Sequence, residues 1–234
     1  MFSGLYPRFS RLLPTLPSQC RVCHAWPTQS ICEDCINRFA QPQWRCQTCA
    51  LPVPMHVAQC GACIKNRPPL DACLAAVTYA FPWSDLIVDY KFHNQPGLAS
   101  AFALLLRSTP WVEPALDAAD CVLPMPLSRE RLQTRGFNQA LTLARQLAPD
   151  KTDQRLLLRI KDTPAQSSLK RTQRLASLNG AFAVEPLLIE KIRGARLVLV
   201  DDVMTSGASL YAAAQVLRAA GAAHITALVI ARTE

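Results

Sequence analysis

Residues 197–209 read LVLVDDVMTSGAS. The unbroken aliphatic run Leu197 to Val200 suits a strand buried on both faces, and the sequence from Ala208 onward suits a helix. Between them stand two adjacent carboxylates, Asp201 and Asp202, then the small residues Thr205, Ser206, Gly207, Ala208 and Ser209. A strand-to-helix turn is where open α/β sheets bind ligands, beyond the carboxyl ends of the strands. Adjacent like charges repel by roughly 1 kcal/mol in water and more where water is excluded, so the aspartates call for a compensating partner. Sugar hydroxyls, or magnesium attached to that sugar, would serve. Backbone N–H groups, hydroxyls and a helix N-terminus gathered at one point suit a phosphate. Residue by residue, a solvated turn with a Ser/Thr cap would also fit; the ordered combination favours a phosphoribosyl site. Neither GxxxxGK[ST] nor GxGxxG occurs, which leaves P-loop and dinucleotide readings without support.

Working outward, strands alternate with helices from residue 73. Strands are expected at 73–81, 120–126, 155–160, 196–200 and 224–232, and helices at 84–92, 97–108, 137–148 and 208–222. That alternation predicts an α/β fold, a mostly parallel sheet with helices on both faces. The segment before it differs: the chain has 18 prolines against 8 glycines, and the prolines crowd before residue 70 and around 110–126. Two units are expected, 1–70 and 71–234.

Eight of the ten cysteines form four CxxC pairs, Cys20/Cys23, Cys32/Cys35, Cys46/Cys49 and Cys60/Cys63. Each pair chelates from a tight turn and two pairs complete a tetrahedral four-cysteine site, so two structural zinc ions are expected. A disulfide framework fits poorly with a chain lacking a recognisable secretory signal. Interleaved ligation is conceivable, but gaps of eight, ten and ten residues favour sequential pairing, a double zinc ribbon. His24 and His56 read as bystanders, and Cys73 and Cys121 as small buried hydrophobes. Residues 20–63 carry few large aliphatics, and structural zinc, at roughly 10–16 kcal/mol in small modules, would dominate their stability.

The formal charge is +8, and its excess is local: 11 Lys/Arg against 4 Asp/Glu between 129 and 174, near balance elsewhere. A basic segment suggests a phosphorylated or polyanionic partner. No apolar run approaches the ~18 residues of a membrane span, and the expected location is cytoplasmic.

VLVDDVMTSGAS (198–209) resembles the phosphoribosyl pyrophosphate (PRPP) motif of type I phosphoribosyltransferases. With the CxxC pairs, DYKFH (89–93) and RERLQTRGFNQA (129–140), the whole arrangement resembles the ComF family, of the ComFC and GntX type. The resemblance implies a type I phosphoribosyltransferase-like sheet preceded by the zinc-ribbon unit. It implies that Asp201 and Asp202 contact the ribose hydroxyls of PRPP with magnesium, and that residues 205–209 hold its 5-phosphate. It puts Arg129 and Arg135, with Gly136, at the pyrophosphate, where the planar arginine fork pairs with phosphate oxygens. Segment 161–174 corresponds to the closing loop, with Lys170, Arg171 and Arg174 facing departing pyrophosphate; these could equally grip a nucleic-acid backbone. Lys91 matches a recurrent basic position of no assigned role.

Purine-handling relatives carry an aspartate where this chain has Met204, so no acid or base for an acceptor is recognisable, and the acceptor hood is replaced by the zinc unit and helices near 84–108. The resemblance implies a PRPP-binding phosphoribosyltransferase-like protein with a role in DNA uptake or utilisation; the alternative is a protein binding single-stranded DNA, or an adaptor docking on uptake or recombination proteins, whose PRPP site is regulatory or vestigial.

Overall fold

The computed structural model describes residues 18–161 and 180–234; Lys170, Arg171 and Arg174 lie outside the described residues. The chain begins with α1 (Glu33–Phe39) and α2 (Gly61–Lys65), each opening on the second CxxC pair of its group. Then follow β1 (Ala72–Thr78), α3 (Trp83–Phe92), α4 (Leu98–Arg107), α5 (Val112–Asp117), β2 (Cys121–Pro124), α6 (Arg129–Arg135) and α7 (Gln139–Leu147). The chain closes with β3 (Leu157–Arg159), β4 (Phe182–Val184), a 3-10 turn over Pro186–Lys191, β5 (Arg196–Met204), α8 (Ala208–Ala219) and β6 (His224–Arg232).

Four strands form one sheet in the order β1-β6-β5-β2, every neighbouring pair parallel. The predicted strand 155–160 lies outside it. Only Leu157–Arg159 extends, and it pairs antiparallel with β4 in a separate two-stranded sheet. The apolar pattern is the same for either placement, and the chain after residue 180 supplies the partner. Other differences are local. The first strand stops at Thr78 rather than 81, short helices cover Glu33–Phe39, Val112–Asp117 and Arg129–Arg135 where the apolar pattern predicts none, and β5 runs four residues past Val200.

The parallel strands are apolar throughout because both faces are covered. Leu197 and Leu199 face a core closed by α8 and the β3/β4 pair, while Val198 and Val200 face a core closed by α3, α4 and α7. The cysteine-rich segment joins these cores. Cys20, Cys32 and Cys35 pack into the α3/α4/α7 core, and Cys46, Cys49 and Cys63 into the α8 core. The segment lies along the β1 edge: Cys73 N–H donates to the Gln47 carbonyl at 2.8 Å, and the Arg45 guanidinium donates to Thr78 Oγ1 at 3.0 Å. On the other face Trp83 Nε1 donates to the Phe39 carbonyl at 2.8 Å, fastening α1 to α3. Cys73 and Cys121 are buried, as their apolar surroundings in sequence suggest. Among the described residues no helix is long and apolar enough to cross a membrane.

Candidate functional site

A cavity of about 530 Å³ opens at the carboxyl ends of the strands. Asp201 and Asp202 line it from within β5, still in the strand and before the turn. Alternation along the strand sends them to opposite faces. Asp202 is 7 % exposed and turns toward the α3 side, where Lys91 Nζ meets Oδ1 at 2.7 Å and an Arg135 Nη lies 3.8 Å from Oδ2. Asp201 accepts the Asp202 N–H at 2.9 Å, yet burial first, and the neighbouring Asp202 charge second, push its carboxyl up to about 7. One carboxylate of the pair is thus paired with protein cations, while the other lines the cavity with its carboxyl raised by burial.

The turn after β5 is built on Gly207, at φ +80°, which opens α8. A Cβ there would stand 2.6 Å from both Met204 Cε and Tyr211 Cζ, so only glycine fits. Arg232, the last residue of β6, donates from Nη1 to the carbonyls of Met204 at 3.0 Å and Thr205 at 2.5 Å. In trans peptides the N–H opposes the preceding carbonyl. The N–H groups of Thr205 and Ser206 are therefore turned away from Arg232. Thr205, Gly207, Ala208 and Ser209 line the cavity, and the Ser206 hydroxyl accepts the Ala208 N–H at 3.4 Å.

The RGFNQ stretch (135–139) resolves into five local tasks. Arg135 ends α6; burial lowers its basicity, and it lies 5.2 Å over the exposed Phe92 ring and donates to Gln139 Oε1 at 3.1 Å. Gly136, at φ +77°, turns the chain between α6 and α7. Phe137 packs against the buried Tyr90, ring centroids 5.6 Å apart. Asn138 caps α7 by accepting the Leu141 N–H at 3.2 Å, and donates to the Met125 carbonyl at 3.1 Å. Buried Gln139 offers its carbonyl to Tyr90 O–H at 2.8 Å. The motif thereby fixes the arginine against the strand ends.

The cavity gathers Arg135, Asp201, Asp202, Thr205, Gly207, Ala208 and Ser209 from the predicted set. It does not gather Arg129 or Ser206 as lining; Arg131, Arg159, Lys91, Tyr79 and Phe92 line it instead. The α6 helix explains the arginine difference, since residues two apart on a helix face different ways. Nothing in local sequence marks Tyr79 or Arg232, whose placement depends on strand pairing. The basic segment 129–174 is also divided by the fold: Arg131, Arg135 and Arg159 lie at this cavity, whereas Arg145, Lys151 and Arg155 line a cavity of about 610 Å³ beside the start of β2.

The cysteines fall into Cys20/Cys23/Cys32/Cys35 and Cys46/Cys49/Cys60/Cys63, the four sulfurs of each within 4.8 Å of one another. Pairing is sequential, as the gap lengths suggest. Cys23 and Cys32 sulfurs are 3.5 Å apart, Cys49 and Cys60 3.7 Å, and Cys20 and Cys35 3.9 Å. Those spacings are the edge of a tetrahedron with Zn–S bonds of ~2.3 Å, about 3.8 Å, and far exceed a disulfide. Burial alone would raise the Cys20 thiol, but amides of Cys23, Cys32 and Val22 bring it down to about 6. Amides of Cys60, Thr48 and Cys49 bring Cys46 to about 7 against the same burial. Each group fits one zinc ion. Each hairpin is reduced to a single antiparallel bridge, Ser18 with Thr28 and Arg45 with Pro52.

Residues 132–234 match the phosphoribosyl transferase domain family. The chain is 30 % identical to the DNA utilization protein YhgH of Salmonella typhimurium, covering 94 % of this chain and 99 % of that one. The chain belongs to the ComF family. Its other ComF relatives include competence protein F of Haemophilus influenzae, 29 % identical over 86 % of this chain and 90 % of that one. Competence protein ComFC of Bacillus subtilis is 28 % identical, covering 88 % and 86 % respectively.

Proposed function

We propose that the strand-end cavity binds PRPP, and that the protein is a phosphoribosyltransferase-like member of the ComF family acting in the uptake or utilisation of DNA, as the names of its relatives indicate. The observation that carries the reading is the opening of the Asp201/Asp202 pair and the Gly207 turn onto one cavity. In this reading the aspartates take the ribose hydroxyls, and residues 205–209 take the 5-phosphate on backbone N–H groups at the start of α8. Arg135, held against the strand ends by Gln139 and Phe92, takes the pyrophosphate, joined by Arg131 from the same helix. The resemblance favours Arg129 for that role, but its neighbour Arg131 has the better position. Lys170, Arg171 and Arg174 keep the closing role only as the resemblance implies it.

The all-oxygen donor set of the aspartates suits magnesium, a hard cation that binds through one or two carboxylates plus substrate oxygens. When bound it would take the ribose hydroxyls as neutral oxygen ligands and offset the charge of the pyrophosphate. The residues here contribute electrostatics: Lys91 and Arg135 hold the Asp202 carboxylate in place, Asp201 offers oxygens to the ribose hydroxyls, and the arginines stabilise charge that builds on departing pyrophosphate. Met204 stands where an acceptor base would be needed and is buried, so the supported chemistry is at the ribose and phosphates. Cytoplasmic location and a nucleic-acid partner belong to the same proposal.

Calorimetric titration of the zinc-loaded protein with PRPP and magnesium tests it, beside an Asp201→Ala/Asp202→Ala variant. Micromolar binding that the variant loses supports the site; absence of binding in the wild type overturns it. Titration with a single-stranded oligonucleotide across salt concentrations tests the DNA role, since phosphate contacts must weaken steeply with salt.

A further inference from the structure

Arg232 connects two sites that the sequence keeps far apart. It is 7 % exposed, and its Nε and Nη1 donors point at main-chain or hydroxyl oxygens. Nε donates to the carbonyl of Cys49 at 2.8 Å, while Nη1 serves Met204 and Thr205 of the phosphate turn and has Thr233 within reach. Cys49 is a ligand residue of the second four-cysteine group. One rigid guanidinium thus spans from a cysteine knuckle to the two peptides that aim the turn.

Packing repeats the connection. Met204 Sδ lies 3.5 Å from the Cys73 thiol, and Cys73 is hydrogen-bonded through its N–H to Gln47, inside the Cys46/Cys49 knuckle. Tyr211, whose ring limits Gly207, packs against the same core as Cys46, Cys49 and Cys63. The first four-cysteine group makes no such link among the described residues. It packs on the opposite face, and Arg21 beside it bonds Gln95 at 2.6 Å and reaches Asp89 at 3.6 Å.

We propose that Arg232 is a positioning residue coupling the second four-cysteine group to the phosphate turn, so that metal held by Cys46, Cys49, Cys60 and Cys63 orders residues 204–209 and strengthens phosphate binding there, while metal in the first group does not. The phosphate-binding half rests on the PRPP reading; the ordering half does not. Without metal the Cys49 knuckle loses its fixed geometry, the Nε anchor moves, and the Thr205 carbonyl is free to rotate, while the Met204 carbonyl keeps only the Thr233 N–H at 3.1 Å. Coupling of this kind is reciprocal: ligand at the turn must tighten metal in the second group by the factor by which that metal tightens ligand.

The full-length zinc-loaded chain is compared with Cys60→Ser, Cys23→Ser, Arg232→Met and Arg232→Lys. Cys60 and Cys23 are each the most accessible ligand of their group, and neither shares a bond with Arg232. Amide hydrogen exchange over residues 204–209 is expected to speed up at least tenfold in Cys60→Ser and Arg232→Met, with Cys23→Ser within twofold of wild type. The Cys60→Ser/Arg232→Met double variant should add little to either single change, and Arg232→Lys should retain part of the protection. PRPP with magnesium should bind about tenfold more weakly to the first two, and should slow zinc loss from the second group alone.

Equal effects of Cys23→Ser and Cys60→Ser, additive effects in the double variant, or an unmoved turn in Arg232→Met each overturn the coupling. If Arg232→Met does not fold, Arg232→Lys and Cys60→Ser decide by the same exchange readout. If wild type fails to bind PRPP, the PRPP reading fails and hydrogen exchange still settles the coupling.

Discussion

Three residues carry predictions of their own. Lys91 holds a carboxylate that is almost wholly buried, and removing one member of such a pair strands the other charge. Lys91→Met should lower stability by about 3 kcal/mol, and Asp202→Asn in the same chain should recover part of it, as measured by denaturant unfolding. Gly207→Ala places a methyl against Met204 and Tyr211 in a left-handed backbone. It should weaken PRPP binding at least tenfold, and Met204→Ala should not restore it because Tyr211 remains in contact. Asp201 has a carboxyl raised to about 7 by burial and by Asp202, above its unfolded value. A raised carboxylate binds more protons in the folded state, so ligand-free stability should fall as pH rises from about 4 to 7 and level off beyond. The loss should be on the order of 1–2 kcal/mol after allowance for partial exposure. Asp201→Asn should flatten that slope in thermal unfolding scans.

At the scale of elements, the loop from β2 to α7 reads in sequence as irregular chain and instead contains α6. Its signals are present, since Ser128 caps it by accepting the Arg131 N–H at 3.3 Å and Gly136 ends it in a left-handed turn. The helix nevertheless buries no residue of its own, so it lacks the apolar periodicity that marks α4 and α7. Asn138 does double duty between the two helices, capping α7 and tethering Met125. Asn138→Ala should cost about 1–2 kcal/mol and weaken PRPP binding as well, because Arg135 loses its fixed backing. A surface cap would affect only the first quantity, so calorimetry and chemical denaturation together separate the roles. The apolar run places the end of β5 four residues short for a related reason: adjacent aspartates are poor strand formers, and only pairing with β6 from Asp201 to Met204 keeps them extended.

For the molecule as a whole, the two four-cysteine groups sit in the cores on opposite faces of the sheet. Chelation of zinc should therefore lower thermal stability of the entire chain in one transition, by more than about 10 °C on the roughly 10–16 kcal/mol that structural zinc contributes to small modules. Separate melting of the cysteine-rich segment in a calorimetric scan would contradict this. The sequence by itself determined the parallel α/β alternation, the pairing of cysteines into two groups, and the meeting of Asp201, Asp202 and the Gly207 turn, because each is a local pattern of period, spacing or turn chemistry. Tertiary structure alone decided the partner of Asp202, the exchange of Arg129 for Arg131 in the cavity, the division of the basic segment and the reach of Arg232 from Cys49 to Thr205. Those contacts join residues up to 183 positions apart. They are set by which strand lies beside which, and no short window of sequence encodes that order.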